Sequence, residues 1–147
     1  MKYKALIFDL DGTVVEQTYN ALPSDSVAEA VQKIQNQIIV SVATGRTFTG
    51  AKNIITKLGI NKPCIVSGGT QIINPLSGEI LWTKKIKMED IKKIIDICIP
   101  YPYEILLSEG INGLPASKNK IVKEENVLYI MITEKKDAAE IIKNINF

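Results

Sequence analysis

Short apolar runs alternate with helical patterns along the first half of the chain. Apolar runs without polar alternation are typical of strands buried on both faces of a parallel sheet, and they occur at residues 4–8, 38–42 and 64–67. Apolar residues at helical spacing lie between these runs. Strand, helix, strand, helix and strand with short connections predict a right-handed parallel α/β layer.

Local signals predict where the two helices of this layer begin and end. Ser26 and Glu29 have the spacing of a capping box, which places the start of the first helix there. The second helix is expected to begin at Thr47 or Thr49 and to end at Gly59, a C-terminal cap. The core-facing residues of the first helix are predicted to be Val27, Ala30, Val31 and Ile34.

The pattern changes after residue 69. Residues 70–73 and 79–82 flank a segment that contains Pro75 and Gly78, so a β-hairpin is predicted. Further along, the apolar spacing predicts an amphipathic helix over residues 88–99, strands over 103–107 and 127–132, and a last helix over 135–145. A helix followed by strands, without parallel βαβ alternation, indicates a separate small α+β unit.

Composition and charge narrow the functional classes. The chain has 147 residues, of which 46% are hydrophobic and 23% charged, as expected of a globular protein of one domain or slightly more. The 16 acidic residues are spread among the 18 basic ones, so we predict no nucleic-acid partner. No apolar run approaches the roughly 20 residues that span a bilayer. We therefore predict a cytoplasmic protein without a membrane partner.

Two residue types exclude further chemistry. The chain contains no histidine, so Ser-His-Asp or Cys-His catalysis and His-ligated zinc are ruled out within it. Cys64 and Cys98 form no Cys-x-x-Cys pair, and we interpret both as buried free thiols.

Candidate chemistry follows the first predicted strand. Ligands of open α/β sheets bind at the carboxyl ends of the strands, where Asp9 and Asp11 lie two residues apart. One carboxylate can attack phosphorus while the other transfers the proton, and both offer the hard oxygen ligands that Mg²⁺ prefers. Gly12 allows a sharp turn, and Thr13 can donate its hydroxyl and backbone N–H to phosphate oxygens.

A second candidate group follows the neighbouring strand. The Thr44 hydroxyl, the Gly45 N–H and the first turn of the next helix together form an anion site. Arg46 can pair either with a phosphate or with a carboxylate, and a structural salt bridge competes with both.

These residues resemble the signatures of a known superfamily. Residues 8–13, Phe-Asp-Leu-Asp-Gly-Thr, are similar to the first signature of the haloacid dehalogenase (HAD) superfamily. Residues 41–46, Ser-Val-Ala-Thr-Gly-Arg, resemble its second signature in the form used by the Cof-like sugar-phosphatase branch. Residues 65–69 resemble the strand and small-residue loop that precede that branch's hairpin and cap. The resemblance covers residues 1–86 well and the remainder loosely.

The resemblance implies a fold of the α/β class. A partial Rossmann-like, three-layer parallel sheet, the HAD core, is expected over residues 1–84. A partial α+β cap is expected over residues 85–147.

The resemblance also implies a function. It is that of a Mg²⁺-dependent phosphatase of small phosphorylated metabolites, sugar phosphates among them. Asp9 would form an aspartyl-phosphate, and Asp11 would act as general acid and then base with its backbone carbonyl on Mg²⁺. These two are the expected catalytic and metal-binding residues. The expected phosphate-binding residues are Gly12, Thr13, Thr44, Gly45 and Arg46.

Two alternatives stay open. A phosphohexomutase has the same first signature, and a dependence on a sugar bisphosphate would distinguish it. A non-catalytic binding or assembly module would show weak Mg²⁺ affinity and self-association.

The chain departs from the superfamily's pattern after the second signature. Neither the expected lysine that neutralises the phosphate nor a Gly-Asp-x-x-Asn-Asp acidic pair can be found. Without them, the charges of Asp9, Asp11 and a phosphate repel one another, and Mg²⁺ has too few protein ligands. We therefore expect a truncated or split product with an exposed apolar edge on its first strand. Its partner would be a complementary fragment or a second copy of the chain.

Overall fold

The computed structural model describes residues 3–16, 18, 20–98, 100–101, 103–108, 113–116 and 127–134. The chain forms two compact units, Met1–Thr83 and Lys84–Phe147. The first unit contains the elements β1 (Ala5–Phe8), α1 (Asp25–Gln35), β2 (Ile39–Val42), α2 (Phe48–Lys57), β3 (Cys64–Val66), a 3-10 turn (Ser67–Gly69), β4 (Gln71–Ile73) and β5 (Ile80–Thr83).

The strands of the first unit confirm the predicted α/β class. β1 and β2 are parallel, with Phe8 opposite Val42. A parallel bridge between Ala43 and Ile65 joins β2 to β3. β4 and β5 follow as antiparallel strands in the order β3-β4-β5, which confirms the predicted hairpin.

The core of this unit lies between the helices and β2, β3 and β4. Burial of apolar side chains in this core stabilises the fold by roughly 25 cal/mol per Å² of apolar surface removed from water. Helix α2 contributes a face with the periodicity of an amphipathic helix. The most buried core residues include Leu10, Val40, Val42, Ala51, Ile54, Ile55, Leu58, Cys64, Val66 and Ile73.

The prediction that β1 is buried on both faces is wrong for the described residues. The Leu6 and Ile7 side chains are 39% and 56% exposed. Within the described part of the chain, β1 pairs only with β2, and α1 packs against β2. The exposed apolar residues of β1 agree instead with the expectation of an exposed apolar edge on the first strand.

The helix boundaries are confirmed at α2 and corrected at α1. Thr47 caps α2, and Gly59 follows it with a φ of 69°. The cap of α1 is Ser24, not Ser26, because the Ser24 hydroxyl accepts the Val27 N–H at 3.3 Å. The predicted core face is confirmed at Val31, which is buried, and at Val27 and Ile34, which pack partly buried against the core. Ala28 is buried in place of Ala30, which is exposed.

The second unit contains α3 (Met88–Cys98), β6 (Tyr103–Ser108), β7 (Gly113–Ala116) and β8 (Tyr129–Glu134). The three strands form an antiparallel sheet in the order β7-β6-β8. Ile91 of α3 packs in a core with Ile105, Leu107 and Val127. The predicted helix and two of the strands are confirmed, β7 was not predicted, and the helix predicted over 135–145 lies outside the described residues.

Among the residues described here, no helix has both the length and the apolar character to cross a bilayer.

Candidate active site

The candidate residues lie where β1, β2 and β3 end. The Ala43 N–H donates to the Phe8 carbonyl at 3.0 Å, and the Thr44 N–H donates to the Ile65 carbonyl at 3.0 Å. Because the three strands are parallel, their carboxyl ends meet at one edge, and Asp9 and Thr44 follow two neighbouring strands there. This is the position in which the sequence predicts a ligand site.

The Asp9 carboxylate is the open acidic group of this edge. Asp9 is exposed directly after β1. Within the described part of the chain its side chain makes no hydrogen bond or ion pair. A carboxylate that is not held by the protein can approach an incoming electrophile or cation.

The Asp11 carboxylate, in contrast, is held by Arg46. The Arg46 Nη2 atom lies 2.6 Å from Asp11 Oδ1, and Arg46 Nε donates to Oδ2 at 2.9 Å and to Oδ1 at 3.1 Å. The side chains of Arg46 and Asp11 are only 14% and 33% exposed. Planar two-point pairing of this kind is among the stronger protein ion pairs. Of the partners considered for Arg46, the structure shows the carboxylate.

The guanidinium of Arg46 also contacts two backbone carbonyls. Its Nη2 donates to the Thr18 carbonyl at 3.1 Å, in the loop between β1 and α1, and its Nη1 donates to the Gly50 carbonyl at 3.3 Å, in the first turn of α2. Sequence reasoning did not identify Thr18 or Gly50, because a backbone acceptor carries no side-chain signal.

The turn after Asp11 uses its own backbone groups. Gly12 has a φ of 72°, a conformation that favours glycine, and its N–H donates to the Val15 carbonyl at 2.8 Å. The Thr13 N–H donates to the Leu10 carbonyl at 3.2 Å. These two N–H groups are thus engaged inside the turn, and the exposed Thr13 hydroxyl is the remaining candidate donor to a phosphate.

The loop after β2 provides two donors. The buried Thr44 hydroxyl accepts the Arg46 N–H at 3.2 Å, which leaves its own hydrogen to be donated. The Gly45 N–H has no acceptor among the described residues, and a side chain built at Gly45 would meet nothing within 4 Å. There is therefore space for a ligand at Thr44 and Gly45.

The loop is fixed in place by neighbouring backbone contacts. The Ser67 N–H donates to the Arg46 carbonyl at 2.7 Å, and the Gly68 N–H donates to the Thr44 carbonyl at 3.2 Å. The N-terminus of α2 follows, with Thr47 Oγ1 accepting the Gly50 N–H at 3.2 Å. The helix dipole adds a positive potential at this end, which favours an anion.

A cavity adjoins the turn that follows Asp11. Its volume is about 810 Å³, and it is open to solvent and lined by residues of the β1–α1 loop from Gly12 to Ser24. Polar side chains such as Thr13, Thr18 and Asn20 alternate there with apolar ones. The cavity thus has a mixed polar and apolar lining, and Asp9, Thr44 and Gly45 are not among its lining residues.

The acidic side chains described around the site are few. In the described ranges, no group of three or more His, Cys, Asp or Glu side chains is arranged to hold a metal ion. The carboxylates at this edge are the pair Asp9 and Asp11, of which only Asp9 is unengaged.

Comparison with known proteins gives the family. The model of the haloacid dehalogenase-like hydrolase family matches residues 6–146. The chain therefore belongs to the haloacid dehalogenase-like hydrolases, which confirms the resemblance drawn from residues 8–13 and 41–46.

One similar curated protein is the HMP-PP phosphatase of Serratia proteamaculans (strain 568). It is 30% identical over 70 residues, which are 48% of this chain and 25% of that protein. The chain thus spans only a part of the length of this relative.

Solved structures share the fold. A phosphatase of the HAD superfamily from Bacteroides thetaiotaomicron superposes with a TM-score of 0.63 at 21% identity, over 78% of this chain and 42% of its own. A HAD subclass IIB sugar phosphatase superposes with a TM-score of 0.62 at 22% identity, over 90% of this chain and 52% of its own. At such identities the likeness establishes the α/β HAD fold.

Proposed function

We propose that this chain carries the nucleophile and the phosphoryl-binding groups of a phosphatase that hydrolyses small phosphorylated metabolites. The observation that carries the proposal is the open Asp9 carboxylate at the end of β1, beside a strand end where the Thr44 hydroxyl and Gly45 N–H are available to an anion. A nucleophile next to anion donors is the arrangement that phosphoryl transfer needs.

Asp9 is the proposed nucleophile of the first step. One carboxylate oxygen attacks the phosphorus of a phosphate monoester, and a new P–O bond forms as the bond to the leaving oxygen breaks. Asp11, in its protonated form, gives its proton to the leaving oxygen, so an alcohol departs and an aspartyl-phosphate remains. Thr44 and Gly45 donate hydrogen bonds to the phosphoryl oxygens, over which negative charge is spread during transfer.

Water completes the turnover in the second step. Asp11, now ionised, accepts a proton from a water molecule whose oxygen attacks the phosphorus. The bond between Asp9 and phosphorus breaks, inorganic phosphate leaves, and both aspartates return to their starting forms. The ion pair between Asp11 and Arg46 corresponds to the ionised form of this second step, and the protonated form of the first step has to give up part of that pairing.

The proposed substrate class is a small phosphorylated metabolite, such as a sugar phosphate. Two similar proteins are named an HMP-PP phosphatase and a sugar phosphatase. The cavity beside Thr13 is large enough for the alcohol part of such a molecule and offers hydroxyl and amide groups to it.

Mg²⁺ is the proposed cofactor, and the available atoms fit it in type. Mg²⁺ keeps several waters and is commonly held by one or two carboxylates together with a substrate phosphate. The Asp9 carboxylate and the Asp11 backbone carbonyl would hold it, since the Asp11 carboxylate is bound to Arg46. When bound, the ion offsets the negative charge of the nucleophile and the phosphate. With so few protein ligands, we expect weak binding.

A partner is proposed to complete the site. The lysine and the acidic pair of the superfamily are not found in this sequence. A complementary fragment would add them, whereas a second copy has the same sequence and would offer other lysine and acidic side chains in their place. Within the described residues β1 pairs only with β2, so its other edge is open to an added strand. Such a strand would also cover part of the exposed Leu6 and Ile7 side chains and remove apolar surface from water.

Hydrolysis of an aryl phosphate by the 147-residue chain, with Mg²⁺ or with a chelator, tests the proposal. Asp9→Asn is the matched variant because it keeps the shape of the side chain and removes the nucleophile. Asp25→Asn makes the same change at an exposed site on α1. We expect slow, Mg²⁺-dependent hydrolysis that Asp9→Asn abolishes and Asp25→Asn preserves.

The outcomes separate the candidate functions. If the wild type hydrolyses the aryl phosphate no faster than Asp9→Asn, the proposal that this chain is a catalyst is wrong. Self-association together with weak Mg²⁺ binding would then favour the non-catalytic binding module. Specific activity that rises with protein concentration would identify a second copy as the completing partner. Activity that needs a sugar bisphosphate would indicate the mutase.

A further inference from the structure

The guanidinium of Arg46 is almost fully used by the protein itself. An arginine has five N–H groups. At least four of them donate to described acceptors, namely the Asp11 carboxylate and the carbonyls of Thr18 and Gly50. The side chain is 14% exposed. A phosphate could bind Arg46 at two points only by displacing some of these contacts.

The acceptors of Arg46 lie on three separate segments. Asp11 follows β1, Thr18 lies in the loop that lines the cavity, and Gly50 lies in the first turn of α2. The backbone of Arg46 is fixed as well, since its N–H donates to Thr44 Oγ1 at 3.2 Å and its carbonyl accepts the Ser67 N–H at 2.7 Å. The side chain therefore extends from a fixed point and joins three segments that lie outside the named strands.

Only an arginine can make this set of contacts. Its planar fork binds both oxygens of a carboxylate and still presents N–H groups to carbonyls at its other edges. A lysine would keep the charge but would offer one point of contact in place of the fork. The contacts at this site therefore require the planar geometry of arginine as well as its positive charge.

We propose that Arg46 is a positioning residue, a clamp that fixes the Asp11 carboxylate and the loop containing Thr18, and not a ligand of the substrate phosphate. The catalytic part of this proposal rests on the proposed phosphatase function, in which Asp11 is the acid–base group. Asp11 transfers the proton, so loss of the clamp displaces the acid–base group while Thr44 and Gly45 keep their donors. The defect should fall on proton transfer and spare phosphate binding.

The first test of the clamp does not require activity. Hydrogen exchange of the backbone amides is measured in the wild type, Arg46→Lys and Lys52→Gln, which changes an exposed lysine of α2. Arg46→Lys is expected to raise exchange at least tenfold at the amides of Gly12, Thr13 and Val15 and to leave the amides of β3 unchanged. Lys52→Gln should resemble the wild type. Unchanged exchange in Arg46→Lys would overturn the clamp.

The second test separates proton transfer from phosphate binding. An aryl phosphate has a leaving group that needs little protonation, whereas an alkyl phosphate needs a proton on its leaving oxygen. Because Asp11 also acts in the second step, which both substrates share, the comparison uses kcat/KM, which reports the first step. Arg46→Lys is expected to lower kcat/KM about tenfold or more for an alkyl phosphate and less than about threefold for an aryl phosphate. In the Asp11→Asn background, Arg46→Lys should cause little further loss, because both act through one group.

The outcomes distinguish the clamp from the proposed function. Equal losses of kcat/KM on both substrates would overturn the proposal and assign Arg46 to the phosphate. Faster exchange in Arg46→Lys in a chain without hydrolysis would support the clamp and overturn the proposed function instead.

Discussion

The Ser41 hydroxyl donates to the Pro63 backbone carbonyl over 2.5 Å. Ser41 lies in β2 and is 5% exposed, and Pro63 immediately precedes β3. Between these two strands the sheet itself provides the single parallel bridge of Ala43 and Ile65. The hydroxyl therefore supplements a short region of pairing at the strand end that carries Thr44.

Replacing Ser41 should weaken the first unit. Ser41→Ala removes the hydrogen bond and leaves the Pro63 carbonyl without this donor, so we expect the free energy of unfolding to fall by about 1 kcal/mol. Urea denaturation checks this. Ser26→Ala, at an exposed serine in α1, should change it by less than about 0.5 kcal/mol. Equal effects of the two changes would show that the Ser41 bond contributes nothing.

Two glycines of the α2 region should respond in opposite directions to alanine. Gly59 has a φ of 69°, and a Cβ there would lie 3.2 Å from the Gln32 side chain. Gly59→Ala is therefore expected to lower the free energy of unfolding by about 1 kcal/mol. Gly50 lies inside α2, where a Cβ would make only ordinary contacts, so Gly50→Ala should raise it by up to about 1 kcal/mol. Thermal denaturation of both variants tests the two predictions. Melting temperatures that shift in the same direction relative to the wild type would contradict them.

The parts of the fold predicted from sequence are those set by local interactions. The start of α2 depends on a hydroxyl and an N–H three residues apart, Thr47 and Gly50, and its end depends on one glycine. The start of α1 was misplaced because two serines were able to cap it. The Ser24 geometry decides between them, and sequence does not carry that geometry.

Two features of the strands depend on more distant partners. The burial of β1 is set by what lies beside it, which the composition of the strand does not contain. β7 includes Pro115, a residue that weakens any strand prediction. It lies at the edge of its sheet in the order β7-β6-β8, where one side of a strand needs no partner.

The identity of the site residues follows from sequence, and their contacts do not. The spacing of Asp9 and Asp11 predicts two carboxylates at one strand end. In the structure Asp9 is open and Asp11 is bound to Arg46. This difference depends on the path of the loop between β1 and α1, whose Thr18 carbonyl also accepts from Arg46. The roles of these residues in catalysis stay predictions.

The two thiols should differ in reactivity. Cys64 is buried, its Sγ donates to the Lys62 carbonyl at 3.3 Å, and burial raises the pKa of its thiol. Cys98 is half-buried on α3. Since the thiolate is the reactive form, an aromatic disulfide reagent should modify Cys98 at least tenfold faster, and Cys64 only as the protein opens. Cys98→Ser should remove the fast phase and Cys64→Ser the slow one. A single rate for both thiols would contradict the prediction.

The ion pair between α1 and α2 should give a pH-dependent contribution to stability. Lys57 Nζ lies 2.9 Å from Asp25 Oδ1, and this hydrogen bond, with the charge of Lys57, lowers the pKa of Asp25. A carboxyl whose pKa is lowered on folding stabilises the protein above its unfolded pKa, and the contribution is lost as the pH falls through its folded pKa. Because Asp25 is exposed, the effect should be small and screened by salt.

Unfolding free energies of the wild type and Lys57→Gln, measured from neutral to acid pH, test this contribution. The two proteins should differ at neutral pH in low salt and converge as the pH falls below the usual carboxyl range. Added salt should shrink the difference at neutral pH. Lys52→Gln, which removes a charge from the exposed face of the same helix, should give no such convergence. A difference between wild type and Lys57→Gln that is independent of pH would mean that Lys57 stabilises α2 through its hydrocarbon chain and not through Asp25.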